Sequence, residues 1–268
     1  MTTGALIFAY DNENIDYLSM AAWSADNIRR HLGIPVAVVT DVEKDSLKKF
    51  DRVIMNSRRN DSSSRNFADA GLITWHNTNR MDAYNISPWE QTLLLDADYV
   101  VASNNLEKIL DSDQDLLTHR SAYDVTSQND FSGLNYFGVY RMPMWWATVI
   151  MFRKSQHARL IFESMSMIRD HWKHYVNIYR TGNSVYRNDH SLTIALGIVD
   201  GHTLDHTMIP WSLASVLPEH ELTQIEQDCY RVDFVDNENR RRWVEIKNQD
   251  FHAMGKKHLG DIVAKNLT

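Results

Sequence analysis

Thr92-Leu93-Leu94-Leu95-Asp96-Ala97-Asp98-Tyr99-Val100-Val101 is the stretch that decides how this chain is read. Three consecutive leucines indicate a strand buried on both faces, since a strand covered on one side alternates apolar and polar residues. Asp96 and Asp98 then stand at or just beyond its carboxyl end, where open α/β sheets bind ligands. Residues two apart on an extended strand point the same way, so both carboxylates can face one hard cation such as Mg²⁺ or Mn²⁺. The plain alternative is a strand end followed by two solvated aspartates. The apolar residues on both sides weigh against it.

Upstream, Ala5 to Tyr10 forms a short apolar run that ends in polar Asp11 to Asn14. Ile15, Leu18, Ala22, Ala25, Ile28 and Leu32 recur at helical spacing and stop at Gly33, and Pro35 to Asp41 follows as a second buried strand. The chain therefore opens β-α-β, for which a right-handed parallel crossover is expected. Phe50 to Met55 is a weaker third strand, and Asn56 to Asn66 is a long polar loop by composition. Leu72 to Tyr84 has weak helical character.

Downstream, Asn104 to Leu110 reads as a short helix, Leu116 to Thr118 as a strand, and Trp145 to Phe152 as an apolar strand led by two tryptophans. Neighbours on a strand face opposite sides, so one tryptophan is expected in the core while the other meets a loop or ligand. Ser155 to Tyr175 is the strongest helix, and Asn188-Asp189-His190 starts another in which Asp189 suits a cap. The last third is irregular and ends in Phe251-His252-Ala253-Met254-Gly255-Lys256-Lys257-His258. An imidazole at His252 can complete a cation site begun by two carboxylates. Gly255 permits close backbone approach to a phosphate, and Lys256 and Lys257 supply charge. Taken singly, these are an ordinary histidine and a solvated lysine pair; the combination with Asp96 and Asp98 gives them meaning.

Composition sets bounds. The 268 residues suit one domain (1–268), with 43% hydrophobic and 24% charged residues. A formal net charge of −7 gives no general attraction to polyanions, so nucleic acid would require a local basic patch. Arg58-Arg59 and Arg240-Arg241-Arg242 are the candidates. One cysteine, Cys229, excludes an internal disulfide, no signal peptide is visible, and no apolar run is long enough to span a membrane. A soluble cytoplasmic protein of a bacterium or phage-infected host is expected.

In this order the pieces resemble the nucleotide-sugar glycosyltransferases of the GT-A fold, especially glycosyltransferase family 8, the glycogenin and galactosyltransferase relatives. The residues carrying the resemblance are the β-α-β start, Leu95-Asp96-Ala97-Asp98 and His252-x-x-Gly255-Lys256-Lys257. The resemblance implies an α/β fold with a Rossmann-like, mostly parallel central sheet flanked by helices and an irregular C-terminal extension closing the donor site. Residues 1–101 would be the nucleotide-sugar half and 102–268 the acceptor half. It further implies Mn²⁺ (or Mg²⁺) on Asp96, Asp98 and His252, with a UDP-sugar held through Ala9, Tyr10, Asn14, Arg80, Ala97, Gly255, Lys256 and Lys257. Asp189 would face the transferred sugar, with His190 where the family carries glutamine, and the transfer would retain configuration.

Two other readings compete. The run Leu93 to Val100 also resembles the nucleophile loop of haloacid dehalogenase phosphatases, but those carry it on their first core strand, whereas a β-α-β unit precedes it here. A non-catalytic sugar- or nucleic-acid-binding relative would have no need of Asp96, Asp98 and His252 together. The acceptor stays open between a glycan, a protein side chain and a hydroxylated DNA base. Substituting Asp98 by Ala is expected to remove metal-dependent donor binding and leave the fold intact.

Overall fold

The computed structural model describes residues 2–57, 63–67, 71–181, 185–201 and 207–267. Its centre is a six-stranded sheet in the spatial order Arg52–Met55, Val36–Thr40, Thr3–Phe8, Gln91–Leu95, Trp146–Arg153, Leu116–His119. The first four run parallel, and Trp146–Arg153 is antiparallel to both neighbours, so five of the six point one way. Leu93, Leu94 and Leu95 are fully buried, as a strand covered on both faces requires.

The opening helix spans Tyr17–Leu32. Asp16 caps it by accepting from the Ser19 amide at 2.9 Å, and Gly33 ends it at φ 64°, a left-handed conformation that glycine adopts without steric cost. This helix packs against the terminal helix Lys256–Leu267, while Gln156–Asp170 packs on Asn188–Asp200. Burying Leu18, Ile28, Ile161, Phe162, Leu192 and Leu196 along these faces contributes roughly 2 kcal/mol per side chain.

A second sheet closes the carboxyl end of the first. Its order is Tyr99–Val100, Phe251–Ala253, Leu213–Val216, Ala122–Asp124, and it pairs His252 opposite Tyr99. A three-stranded antiparallel meander, Glu221–Glu226, Cys229–Val235 and Arg241–Lys247, lies in the chain between Leu213–Val216 and Phe251–Ala253. The C-terminal third thus carries more regular structure than its weak periodicity predicts. Short hairpin strands held by cross-strand partners leave little trace in hydropathy.

Several local expectations change. Ser63–Phe67, which overlaps the end of the stretch read as loop, pairs antiparallel with Gly71–Trp75, which replaces the expected helical start at Leu72. The run Leu-Ile-Thr-Trp is rich in β-branched and aromatic residues, and strand pairing decides it. Helix appears only at Ala83–Ile86, after a 3₁₀ turn at Arg80–Asp82. The long helix from Ser155 is two helices, Gln156–Asp170 and Trp172–Tyr179, separated at His171. Trp145 and Trp146 are both buried, because a second layer of structure covers each side of the strand start. Arg58 and Arg59 lie outside the described residues.

His119, at the end of its edge strand, tests the packing. Its Nδ1 donates to the Trp211 carbonyl at 3.0 Å. Burial pushes its pKa down from 6.5 to about 4, with the carbonyl bond opposing the shift. An unfolded chain takes up this proton below pH 6.5 and the folded one only near pH 4, so the stabilising contribution is full above pH 6.5 and is lost as pH falls toward 4. The urea-derived stability of the wild type should fall between pH 7 and pH 4 by about 3 kcal/mol more than that of His119→Asn. Equal pH dependence in both proteins would refute the assignment.

Candidate active site

The polypeptide leaves the sheet at Leu95. The Asp96 amide still donates to the Thr148 carbonyl at 3.0 Å, then Asp96 to Tyr99 form a tight turn in which the Tyr99 amide donates to the Asp96 carbonyl at 3.1 Å. The two carboxylates therefore converge through the turn rather than through strand alternation. The Asp98 carbonyl accepts from the Ala253 amide at 3.0 Å, which ties the turn to the C-terminal strand. That register delivers His252, whose Nε2 lies 3.2 Å from Asp98 Oδ2.

One ligand atom each from Asp96, Asp98 and His252 lie within 4.8 Å of one another. Asp98 and His252 are buried, and Asp96 is about a quarter exposed, with 28% side-chain accessibility. Burial lowers the His252 pKa, opposed by Asp96 and Asp189, so the ring is held neutral with a lone pair available. Its Nδ1 is buried without a hydrogen-bond partner among the described residues. Two carboxylates and a neutral imidazole suit Mn²⁺ or Mg²⁺ in charge and donor type.

Each acid has its own cation. Arg80, 1% exposed, donates from Nη1 to Asp96 Oδ1 at 2.5 Å and from Nη2 to the Thr148 carbonyl at 3.2 Å. Lys256 Nζ sits on Asp98 Oδ2. On the facing wall, Asp189 Oδ1 accepts from the Ala147 amide at 2.9 Å and Oδ2 from Arg187 at 2.9 Å. Burial alone would raise the Asp189 pKa; Arg187 and the Ala147 amide outweigh it and hold the carboxyl below its usual range.

These groups line a cleft of about 520 Å³ with Phe8, Tyr10, Tyr17, Trp146 and Pro218. Of the residues singled out in the sequence, Tyr10, Arg80, Asp96, Ala97, Asp98, Asp189, His252 and Lys256 meet there. Asn14 and Lys257 line a neighbouring pocket of about 660 Å³ that shares Lys256. Ala9 is buried, its amide donating to the Val39 carbonyl at 2.9 Å, and Gly255 is buried at the start of the last helix. His190 packs on Phe137 and Trp172, with ring centroids 4.5 and 5.9 Å away. His76, Asn77 and Arg187 also line the cleft. Arg187, two residues before Asp189, carried a usable signal as a cation beside an acid at a helix start; His76 and Asn77 carried none.

Solved structures similar to this chain include three glycosyltransferases. GlyE of Streptococcus pneumoniae TIGR4 aligns at 13% identity and a TM-score of 0.45 over 78% of this chain. The galactosyltransferase LgtC, solved with donor and acceptor sugar analogs, aligns at 14% identity and 0.46, covering 72% of this chain and 70% of its own. The bifunctional WbbM aligns at 12% and 0.40, over 61% of this chain and 34% of its own. The chain spans 46% of the length of GlyE. No family model and no curated protein matches the sequence. Among the described residues, no helix is long and apolar enough to cross a membrane.

The pairing of Asp98 with Lys256 changes the expected result of substitution. Removing the carboxylate strands a buried ammonium, so Asp98→Ala costs stability as well as a ligand. Asp98→Asn should lose about 3 kcal/mol in urea denaturation. The double variant Asp98→Asn/Lys256→Met should be more stable than Asp98→Asn alone, since it buries no uncompensated charge. Additive losses would mean that the two groups do not interact.

Proposed function

We propose that the protein is a metal-dependent glycosyltransferase of GT-A type that moves a sugar from a nucleotide-diphosphate donor, a UDP-sugar, to an acceptor hydroxyl with retention of configuration. The observation that carries this reading is the convergence of Asp96, Asp98 and His252 beside Lys256 at the carboxyl end of a mostly parallel sheet. Two acids and an imidazole are a cation site, and an ammonium beside it suits a diphosphate. A phosphatase reading is not favoured: a nucleophilic aspartate needs a free face, whereas Asp96 is held by Arg80 and Asp98 by His252 and Lys256.

In this reading Asp96, Asp98 and His252 would hold Mn²⁺ or Mg²⁺, which when bound offsets charge on the leaving diphosphate. Arg80 fixes the Asp96 carboxylate, so its orientation is set before the donor arrives. Lys256 faces the diphosphate, and Gly255 and Lys257 follow it around the first turn of the last helix. Phe8 and Tyr10 form an apolar wall for the base, with Ala9 and Asn14 beside it. Asp189, ionised and fixed by Arg187 and the Ala147 amide, faces the sugar and favours positive charge developing at its anomeric carbon. Residues 1–101 supply most of the donor side and 102–268 the acceptor side, with His252 and Lys256 returning to the donor. The lone cysteine fits work in the cytoplasm.

Nucleotide sugars incubated with the protein and Mn²⁺ should release nucleoside diphosphate slowly even without acceptor. A chelator should stop the release, and His252→Ala should reduce it at least about a hundredfold, the scale expected when a charge-stabilising contact is lost. Robust phosphate release from an aryl phosphate, with no nucleotide sugar cleaved, would sink the proposal.

A further inference from the structure

Beside the cleft stands a surface that the donor chemistry does not use. The hairpin Tyr136–Phe137/Met142–Pro143 is fastened to the cleft wall at two points. Trp146 Nε1 donates to Asn135 Oδ1 at 3.4 Å, and Phe137 packs on His190, the neighbour of Asp189. Its tip seats on the Trp172–Tyr179 helix: Phe137 and Tyr179 rings lie 6.0 Å apart. Gly138, at φ +64°, passes so close that a Cβ would lie 2.3 Å from the Tyr179 carbonyl oxygen. Hairpin and helix form one rim.

This rim is unusual in two respects. Tyr136, Val139 and Tyr140, within five residues of one another, are 41%, 61% and 65% exposed. Residues 131–146 and 171–181 contain no aspartate or glutamate in a chain of net charge −7, yet they carry Arg141, Lys173 and Arg180. The Arg141 guanidinium lies 4.5 Å over the Tyr136 ring. Exposed tyrosines with an arginine stacked on one of them, and no carboxylate within either stretch, match flat bases on a phosphate backbone. A neutral glycan offers hydroxyls, which buried acids and amides hold, and none of those acids is here. The arginine triplet at 240–242 is not the basic patch: Arg240 and Arg242 are paired with Asp236, and Arg240 also with Glu238.

We propose that this rim binds single-stranded or unpaired nucleic acid, and that the acceptor hydroxyl is borne by a nucleotide presented across it to the cleft. The proposal rests on the glycosyltransferase reading of that cleft. The bond from the anomeric carbon to the donor diphosphate breaks, the carbon bonds to the acceptor oxygen, and the hydroxyl proton leaves with the nucleoside diphosphate or to solvent. A base within a duplex must leave the stack to reach the site.

The test is fluorescence anisotropy of the full chain with a labelled oligothymidylate of about 20 nucleotides over a salt series, long enough for several stacked bases. A thermal-shift measurement with UDP and Mn²⁺ runs in parallel. Tyr140→Ala and Tyr136→Ala should each weaken oligonucleotide binding by about tenfold, the effect of one lost stacking partner. Arg141→Ala should lower the slope of log K against log salt by about 0.7. All three variants should keep the UDP–Mn²⁺ shift, which shows that they fold. Equal binding of dextran sulfate with no effect of the tyrosine substitutions would reduce the rim to an unspecific basic patch and overturn the proposal. So would a dimer that Tyr140→Ala dissolves, since the rim would then belong to a second copy. No oligonucleotide binding alongside an intact UDP–Mn²⁺ shift would end the nucleic-acid inference and leave the transferase standing. Oligonucleotide binding without that shift would overturn the transferase reading and with it the acceptor role, leaving only a nucleic-acid-binding rim.

Discussion

A buried carboxylate must be paired or hydrogen-bonded to stay ionised, and Asp98 is the carboxylate on which this structure turns. It is 6% exposed, at a turn that follows a strand covered on both faces. An isolated charge there would cost several kcal/mol, so the turn is stable only with its partners in place. Those partners, His252 and Lys256, lie more than 150 residues away in sequence. The second sheet, which pairs His252 with Tyr99, is what brings them back. The same condition explains why the last helix begins where it does: Lys256 is its first residue, and its ammonium reaches down to Asp98.

The cleft is built from alternating charges. Arg80 with Asp96, Lys256 with Asp98, and Arg187 with Asp189 are three pairs, each with one member at least nine-tenths buried or anchored to a backbone amide or carbonyl. Such pairs add little net stability, because desolvation offsets their attraction. What they provide is fixed orientation. A dication and a diphosphate can enter this arrangement by exchanging partners rather than by reorganising the backbone, which is the condition for electrostatic stabilisation without reorganisation cost.

Much of this was legible in the sequence because it rests on short-range pattern. The leucine run gave the strand, the spacing from Ile15 to Leu32 and Gly33 gave the first helix, and the late histidine gave the third member of the acidic cluster, whereas Lys256 reads as a phosphate contact and its pairing with Asp98 is seen only in the fold. The illegible parts have a common cause. Arg80 reads as a surface charge or a donor contact; that it is buried beneath Asp96 depends on the Thr148 carbonyl, a neighbour only in the folded sheet. Asp189 reads as a helix cap, yet its acceptor oxygens face Ala147 and Arg187. Ser63–Phe67 reads as loop because its own residues, Ser-Ser-Arg-Asn-Phe, show no hydrophobic period, and only the pairing with Gly71–Trp75 makes it a strand.

Charge runs show the same limit from the other side. Arg240-Arg241-Arg242 is the densest positive run in the chain, but a tight turn places Asp236 under it, accepting from the Arg240 amide and from two guanidinium groups. The run is largely neutralised by its own hairpin. The cations of the rim, Arg141, Lys173 and Arg180, are scattered over about forty residues, singly unremarkable, and no aspartate or glutamate stands among them within either stretch. What distinguishes the two surfaces is not how many arginines each holds but whether the fold supplies a carboxylate for each, and that is settled by hairpin geometry. A surface field follows from the pairing left after folding, which a count along the sequence does not register.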